Sequence, residues 1–413
     1  MPTEPEANTM QSVELFAGAG GLAMGVTLAG FESLAVIEWD HWACDTIRDN
    51  LKRGYPLVAD WPLWEGDVRE FDWSKIPEGI DLLAGGPPCQ PFSLGGKHKA
   101  YRDKRDMFPA TVEVVRKLKP KSFIIENVKG LTRSSFANYY QYILLQLEFP
   151  EVVCRWGESW LDHLKRLQTE KTSGVLHTIG LTYNVVPTLV NSADYGIPQK
   201  RERLFIVGFR SDLGVEWSFP RPTHSLDALL HSQWVSGEYW ERHGVSTPER
   251  PAIHDKFKAR FRELAAGLAL FEEKPWKTVR DALADLPDPR RPEASEYLNH
   301  VFQDGAKIYP GHIGSPLDLP AKALKAGDHG VPGGENMVVL TNGEVRYFTV
   351  REAARLQTFP DGYAFHGSWT ETMRQLGNAV PLALGRQVAA AVAIRIAEAE
   401  SRKLAKHRMR MLA

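Results

Sequence analysis

Val13-Glu-Leu-Phe-Ala-Gly-Ala-Gly-Gly-Leu-Ala-Met-Gly25 decides the fold. Val13 to Phe16 read as a short apolar strand, the glycines as a turn, and the residues to about Ala29 as a helix. Strand, glycine turn and helix form a nucleotide-binding arrangement, because glycines let a ligand approach the backbone and the helix start offers free N–H groups. Gly18-x-Gly20-x-x-Ala23 loosely fits the dinucleotide fingerprint, and Glu38 follows at a suitable distance, so a nicotinamide dinucleotide is a rival ligand for this segment alone. The next strand, Leu34-Ala-Val-Ile37, ends in Glu38-Trp39-Asp40. An acid at a strand tip suits ribose hydroxyls; an adjacent Trp suits stacking on a purine or a place in the core. A helix follows over about His41–Lys52, and Gly66-Asp67-Val68 reads as a turn. Its acid suits an adenine amino group, or an Asx turn.

The next informative stretch is Asp81-Leu-Leu-Ala-Gly-Gly-Pro-Pro-Cys-Gln-Pro-Phe-Ser93. Leu82, Leu83 and Ala84 end a buried strand; Gly85 and Gly86 turn the chain, and Pro87 and Pro88 stiffen it. Cys89 is thereby delivered just past a strand end, where open α/β sheets bind ligands. A rigid elbow ending in a thiol suggests a nucleophile. An isolated Pro-Cys equally suits a buried, inert thiol. A basic run follows, with Lys97, Lys99, Arg102, Lys104 and Arg105 opposed only by Asp103. Its place directly after Cys89 favours contact with phosphates over a merely solvated face.

The bulk numbers narrow the class. The chain has 413 residues, 43% hydrophobic and 24% charged, enough for two domains. No apolar run approaches the length expected of a membrane span. The N-terminus, Met1-Pro-Thr-Glu-Pro-Glu-Ala-Asn8, reads as a short acidic tail and not as a secretory signal. The three cysteines, Cys44, Cys89 and Cys154, are far apart. Their spacing argues against a disulfide framework or a zinc site and for a reducing cytosol. A net charge of −1 does not by itself announce a nucleic-acid partner.

Beyond Cys89 a helix is expected over about Met107–Leu118, then the strand Lys121-Ser-Phe-Ile-Ile125 ending in Glu126-Asn127-Val128. A Glu at an apolar strand end is seldom there for packing. The stretch 131–180 is aromatic and helical without a clear place. Tyr183–Val190 and Leu204–Val207 read as strands. Arg201 and Arg203 alternate with Glu202 and so share a face, suiting anion or carbonyl recognition or a structural ion pair. From about Asp212 the alternation fades and prolines multiply, marking a second, irregular domain. Thr349 and Glu352 form a capping box. Gly377-Asn-Ala-Val-Pro381 opens a last helix whose stripe Leu384, Val388, Val392 and Ile396 is expected to pack back on the first domain.

Taken in order, Phe16-Ala-Gly-Ala-Gly-Gly21, Gly86-Pro-Pro-Cys-Gln-Pro-Phe-Ser93, Glu126-Asn-Val128, Gln199-x-Arg-x-Arg203, Arg351-Glu-x-x-Arg-Leu-Gln-x-Phe-Pro360 and Gly377-Asn-Ala-Val-Pro381 resemble the motif set of the DNA cytosine-5 methyltransferases. The resemblance covers about residues 13–390. It displaces the dinucleotide reading, since hydride transfer has no use for a Cys–Glu pair. It also disfavours amino-methylating enzymes, which carry an aromatic after the Pro-Pro pair. The resemblance implies an α/β, Rossmann-like S-adenosylmethionine-dependent methyltransferase sheet with a second, smaller irregular target-recognition domain. The catalytic and cofactor-binding domain would comprise 1–211 plus 373–413, and the target-recognition domain 212–372.

By the same resemblance Cys89 adds to carbon 6 of cytosine, Glu126 holds ring nitrogen 3 and the amino group, and Arg203 contacts the ring carbonyl. Arg201 would meet a phosphate or the catalytic loop. Phe16, Ala17, Gly18, Gly20, Gly21, Glu38, Trp39, Asp67, Val68, Pro87, Asn378 and Val380 match cofactor positions for S-adenosyl-L-methionine. Gln90, Ser93, Gly95, Lys97, Arg105 and Arg201 match DNA contacts. The implied partner is double-stranded DNA with a flipped-out cytosine, in the bacterial cytoplasm, within a restriction-modification system. The expectation is a monomer with no metal and no membrane contact. Between 212 and 345 there are 15 Lys/Arg and 20 Asp/Glu, so base-edge contacts rather than bulk charge would specify the target. A tRNA methyltransferase of the same fold and an inactive DNA-binding regulator are the alternatives.

Overall fold

The computed structural model describes residues 9–88, 106–174, 180–267, 271–308, 310, 313–326 and 334–412. The apolar runs form the strands β1 (Met10–Leu15), β2 (Phe31–Glu38), β3 (Leu63–Glu65), β4 (Leu82–Gly85), β5 (Ser122–Val128), β6 (Tyr183–Asn191), β7 (Gln199–Lys200) and β8 (Glu202–Arg210). Interleaved with them are α1 (Gly21–Leu28), α2 (His41–Lys52), α3 (Phe108–Leu118), α4 (Ala137–Glu148) and α5 (Trp160–Thr172). The main sheet runs β3-β2-β1-β4-β5-β8-β6. Its first five strands are parallel, while β8 runs antiparallel to both β5 and β6.

The central strands are apolar on both sides because both faces are covered, as parallel sheets require. Val13, Leu15, Phe123 and Ile125 bury against Val112 and Val115 of α3 and Ile143 of α4. On the other face Leu82, Ala84 and Ile124 bury with Val26 of α1 and with Leu384, Val388, Val392 and Ile396. These last four lie on the long final helix, α12 (Leu382–Leu412). The unplaced stretch after β5 contains the pair α4 and α5, with Trp160 packed on Tyr139 and Tyr142.

The region after β8 holds α6 (Leu226–Trp234), α7 (Glu238–Arg242), α8 (Asp255–Ala266) and α9 (Val279–Leu283). Short strands lie among them: β9 (His224–Ser225), β10 (Lys274–Pro275), β11 (Ser315–Pro316), β12 (Ala321–Lys322), β13 (Met337–Val339) and β14 (Val345–Tyr347). Then come α10 (Val350–Leu356), with the Thr349–Glu352 capping box formed, and α11 (Trp369–Asn378).

Residues 212–372 do not pack as one separate unit. Phe348, Ala353, Leu356, Phe359 and Tyr363 share a core with Ala19, Met24, Val36 and Ile47. The Tyr363 hydroxyl donates to the Ala19 carbonyl at 2.9 Å. The chain has therefore rejoined the nucleotide-type body by Phe348, earlier than the boundary at 372, because this apolar segment completes the first body's core. The stretch Trp369–Met411 contains a window long and apolar enough to cross a membrane by length and composition, contrary to the sequence reading. In the fold 56% of that window is buried, which the packing of α12 on the sheet explains.

Two features of β1 and α1 yield tests. An added Cβ at Gly25 would lie 2.6 Å from the Arg386 nitrogen, so the glycine is what lets α1 lie against α12. Gly25→Ala should cost about 1–3 kcal/mol in urea unfolding, the range for overpacked cores. Glu14 alternates with Val13 and Leu15 and is 1% exposed. Its Oε1 finds no hydrogen-bond partner. Burial pushes its carboxyl up to about 8, with the nearby Ser12 hydroxyl opposing in part. Its native form thus keeps a proton that the unfolded chain has lost. The stabilisation is complete below the unfolded value and is lost as pH rises through about 8. Glu14→Gln should flatten the fall in urea midpoint between about pH 5 and pH 8.

Candidate active site

The sheet order reverses at β1, which has β2 on one side and β4 on the other. Carboxyl ends at such a reversal open a crevice for ligands. Leu15 is level with Gly85, and Gly85 with Ile125. The next residues, Phe16, Gly86 and Glu126, therefore leave three neighbouring strands side by side.

On the β1 side the turn is held from beneath. The buried Glu38 carboxylate accepts from the Gly18 N–H at 2.6 Å, and from the N–H groups of Trp39 at 2.8 Å and Asp40 at 2.7 Å. Burial nonetheless raises the Glu38 carboxyl above its usual range, against those three donors. Phe16 takes φ 54°, a left-handed conformation that a non-glycine residue seldom adopts. Such strain persists where surrounding structure enforces it, often at ligand sites. Ala17 donates to the Ile37 carbonyl at 3.1 Å. Gly20 has φ 88°, and a Cβ on Gly21 would lie 2.4 Å from the Val380 carbonyl, so Val380 abuts the turn. Gly18 has open space where a Cβ would stand. Asn378, at the end of α11, is exposed.

The Trp39 side chain is not a core aromatic, because the residue is 64% exposed. Asp67 follows β3; its Oδ1 accepts from the Arg69 N–H at 3.0 Å, which makes the Asx turn. Val68 is buried, and its carbonyl accepts from the Trp73 indole. Acids at two adjacent strand tips, an exposed indole and open space over Gly18 form a cradle that fits an adenosine.

On the β4 side the described chain reaches Pro88. Asn127 Nδ2 donates to the Pro87 carbonyl at 3.0 Å, and a Cβ on Gly86 would lie 3.2 Å from Glu126 Oε2. The Pro-Pro elbow therefore leans on Glu126 and Asn127. Asn127 was not singled out from sequence; its place between Glu126 and Val128 at the strand end was the available signal. Cys89, Gln90, Ser93, Gly95, Lys97 and Arg105 lie outside the described residues.

Glu126 is 7% exposed. Arg203 Nε approaches its Oε1 to 2.8 Å as an ion pair. That contact is not aligned as a hydrogen bond, so among the described residues Oε1 has no hydrogen-bond donor. Burial raises the Glu126 carboxyl above its usual range, and the Arg203 and Arg201 guanidiniums oppose that shift. A carboxyl so placed is suited to share a proton with a neutral polar ring.

Arg201 is a correction. It is fully buried, and its guanidinium donates to the carbonyls of Leu324, at 2.9 Å, and Gly377. It bolts the β12 segment to the end of α11, which is not a phosphate contact, and the catalytic loop expected as its other partner lies outside the described residues. Alternation places Arg201 and Arg203 on one face, but backbone carbonyls cover that face at Arg201.

A family model described as C-5 cytosine-specific DNA methylase matches residues 10–151 and 160–393. The chain is 31% identical over 396 residues to "Type II methyltransferase M.PspPI" of a Psychrobacter species, covering 95% of this chain and 80% of that protein. It is 30% identical over 397 residues to "Type II methyltransferase M.Eco47II" of Escherichia coli, covering 94% and 80%. Among solved structures, S. pombe Dnmt2 aligns with a TM-score of 0.52 at 17% identity, over 94% of this chain and 99% of that one. A variant of Spodoptera frugiperda DNMT2 aligns with a TM-score of 0.54 at 15% identity, over 94% and 99%. At those identities the likeness is one of fold.

The electrostatics of Glu126 can be read directly. Arg203→Met removes the nearer cation that holds its carboxyl down. The carboxyl carbon resonance of Glu126 should then titrate at higher pH than in the unmodified protein; an unchanged or lower midpoint would contradict the assignment.

Proposed function

The chain belongs to the C-5 cytosine-specific DNA methylase family and is a DNA cytosine-5 methyltransferase; we propose that it acts through a covalent Cys89 adduct on a cytosine flipped out of double-stranded DNA. The observation that carries this reading is the bond from Asn127 to the Pro87 carbonyl, which sets the elbow before Cys89 against Glu126. Carbon 5 of cytosine is too weak a nucleophile to take a methyl group unaided. The Cys89 thiolate adds to carbon 6, and the carbon 5–carbon 6 electron pair moves to carbon 5. Glu126 gives ring nitrogen 3 a proton as negative charge develops there. Its raised proton affinity and its free Oε1 support that role. Arg203, on the other side of Glu126, is the donor for the ring carbonyl.

The strand-tip cradle supports S-adenosyl-L-methionine as the methyl donor. Glu38, Trp39, Asp67, Val68, Phe16 and the Ala17–Gly21 turn would hold its adenosine part, with Pro87, Asn378 and Val380 alongside. When bound, this group supplies an electrophilic methyl on a sulfonium. After carbon 5 is methylated, a base takes its proton, the carbon 6–sulfur pair returns to Cys89, and nitrogen 3 gives its proton back to Glu126. The target atom is buried in a duplex, which is why the base has to leave the stack. Gln90, Ser93, Gly95, Lys97 and Arg105 are the proposed DNA contacts from the segment after Cys89. The irregular region between β8 and Phe348 is the proposed target reader. The relatives named Type II methyltransferases support a place in a restriction-modification system.

A duplex carrying cytosine fluorinated at carbon 5 tests the mechanism, because loss of the carbon 5 proton is then blocked. The unmodified protein should stall as a covalent adduct on a denaturing gel, and Cys89→Ala should form none. Glu126→Gln should bind duplex as before and methylate about 10²- to 10⁴-fold more slowly, the range for a lost general acid. Labelled methyl entering tRNA and not duplex DNA would overturn the choice of substrate.

A further inference from the structure

Asp67 presents an unexpected occupancy. Its Oδ1 accepts from the Arg69 N–H at 3.0 Å and from Arg69 Nε at 2.9 Å. Its Oδ2 accepts from Arg69 Nε at 3.1 Å and, more closely, from Arg69 Nη2. Three N–H groups of one residue, with Nε shared between the two oxygens, thus engage both oxygens of the carboxylate. The backbone donor is fixed by the turn, since the Glu70 N–H is bonded to the Asp67 carbonyl at 2.7 Å. The guanidinium is the part able to leave: the Arg69 side chain is 48% exposed, against 20% for Asp67.

We infer that Arg69 competes with the methyl donor for Asp67: its guanidinium occupies the adenine-reading carboxylate and has to be displaced before the purine amino group can bind. This rests on the reading of Asp67 as the acceptor for that amino group. Three features of the site support it. The fork grips both oxygens, so a new donor meets a carboxylate already held by the guanidinium on both atoms. The pair lies at the tip of β3, beside Glu38 and the exposed Trp39 at the tip of β2, where Gly66 donates to the Glu38 carbonyl at 2.9 Å. Asp67 is the carboxylate that hydrogen-bonds this guanidinium, while the neighbouring Glu70 acts on it only through its charge. Arg69 thereby lowers affinity for the adenine end of the cofactor without touching the reacting atoms. It is a positioning residue whose release is part of cofactor entry.

The exchange is of modest size, because an exposed ion pair is weak and the departing guanidinium is rehydrated. Arg69→Met keeps the stem and removes the donors. It should bind S-adenosylhomocysteine about two- to fivefold more tightly by calorimetry, the scale of one exposed pair. An analogue with hydrogen in place of the purine amino group does not need Asp67. Its affinity should be the same for Arg69→Met and the unmodified protein. Raising the salt concentration screens the pair, so the gap between the two proteins for S-adenosylhomocysteine should narrow.

Equal or weaker binding of S-adenosylhomocysteine by Arg69→Met, while the unmodified protein still prefers it to the analogue, overturns the competition and leaves the Asp67 reading intact. If the unmodified protein does not distinguish the two ligands, and Asp67→Ala binds both as well as it does, the Asp67 reading itself falls and the inference with it.

Discussion

The register of three strands is the constraint on which the site depends. Leu15, Gly85 and Ile125 stand level across β1, β4 and β5. Backbone hydrogen bonds fix that level, and a slip of one residue would turn every buried side chain of a strand to the wrong face. A slip of β1 would exchange Val13 and Leu15 with the equally buried Ser12 and Glu14 and put polar groups into the core that α3 and α4 complete. The glycine turn, the proline elbow and Glu126 are therefore neighbours because the core permits no other arrangement. Their chemistry inherits the precision of the packing.

A second device joins the irregular region to this sheet. Alongside the buried Arg346–Glu352 ion pair, several buried side chains there bond to backbone carbonyls. Arg201 holds Leu324 and Gly377. Arg351 holds the carbonyls of Leu298, Pro360 and Tyr363. Gln357 reaches Leu376. Loops without regular structure leave carbonyls unpaired, and a guanidinium with its five donors satisfies several at once. Burial pushes Arg201 well below its usual range and Arg351 down to about 10. Such groups are expensive to desolvate, so their presence marks places where the path of the chain is set by side chains in place of a ladder.

The sheet was readable because its signals are local. An apolar run bounded by glycine, proline or an acid is a strand end whatever surrounds it, and helix α2 runs over His41–Lys52 as its pattern indicated. Arg201 was misread for the opposite reason. Alternation gives the face a side chain occupies but not what that face meets, and the partners of Arg201 lie far away at Leu324 and Gly377. The segment around Phe348–Tyr363 falls inside the span 212–372 that the resemblance implies for the second domain. Its place depends on contacts with Ala19 and Val36, which no window of sequence contains. The Arg69 fork belongs to the same class: Asp-x-Arg spacing allows it, and only the turn geometry completes it.

Two carboxylates at these strand ends are driven in opposite directions, which fits the separate roles proposed for them. Glu126 is buried, and desolvation raises its carboxyl above the usual range against the Arg203 and Arg201 guanidiniums. Asp67 stands at the rim, where solvent and a guanidinium fork hold it below the usual carboxylate range. One is thereby suited to give a proton to a ring nitrogen and the other only to accept from an amino group. Separated proton affinities of this kind are how one site assigns acid and acceptor roles to chemically similar groups. Neither residue type nor spacing distinguishes them. The difference lies in depth: β5 stays paired with β8 for two residues past Glu126, whereas β3 ends after three residues and leaves Asp67 partly exposed.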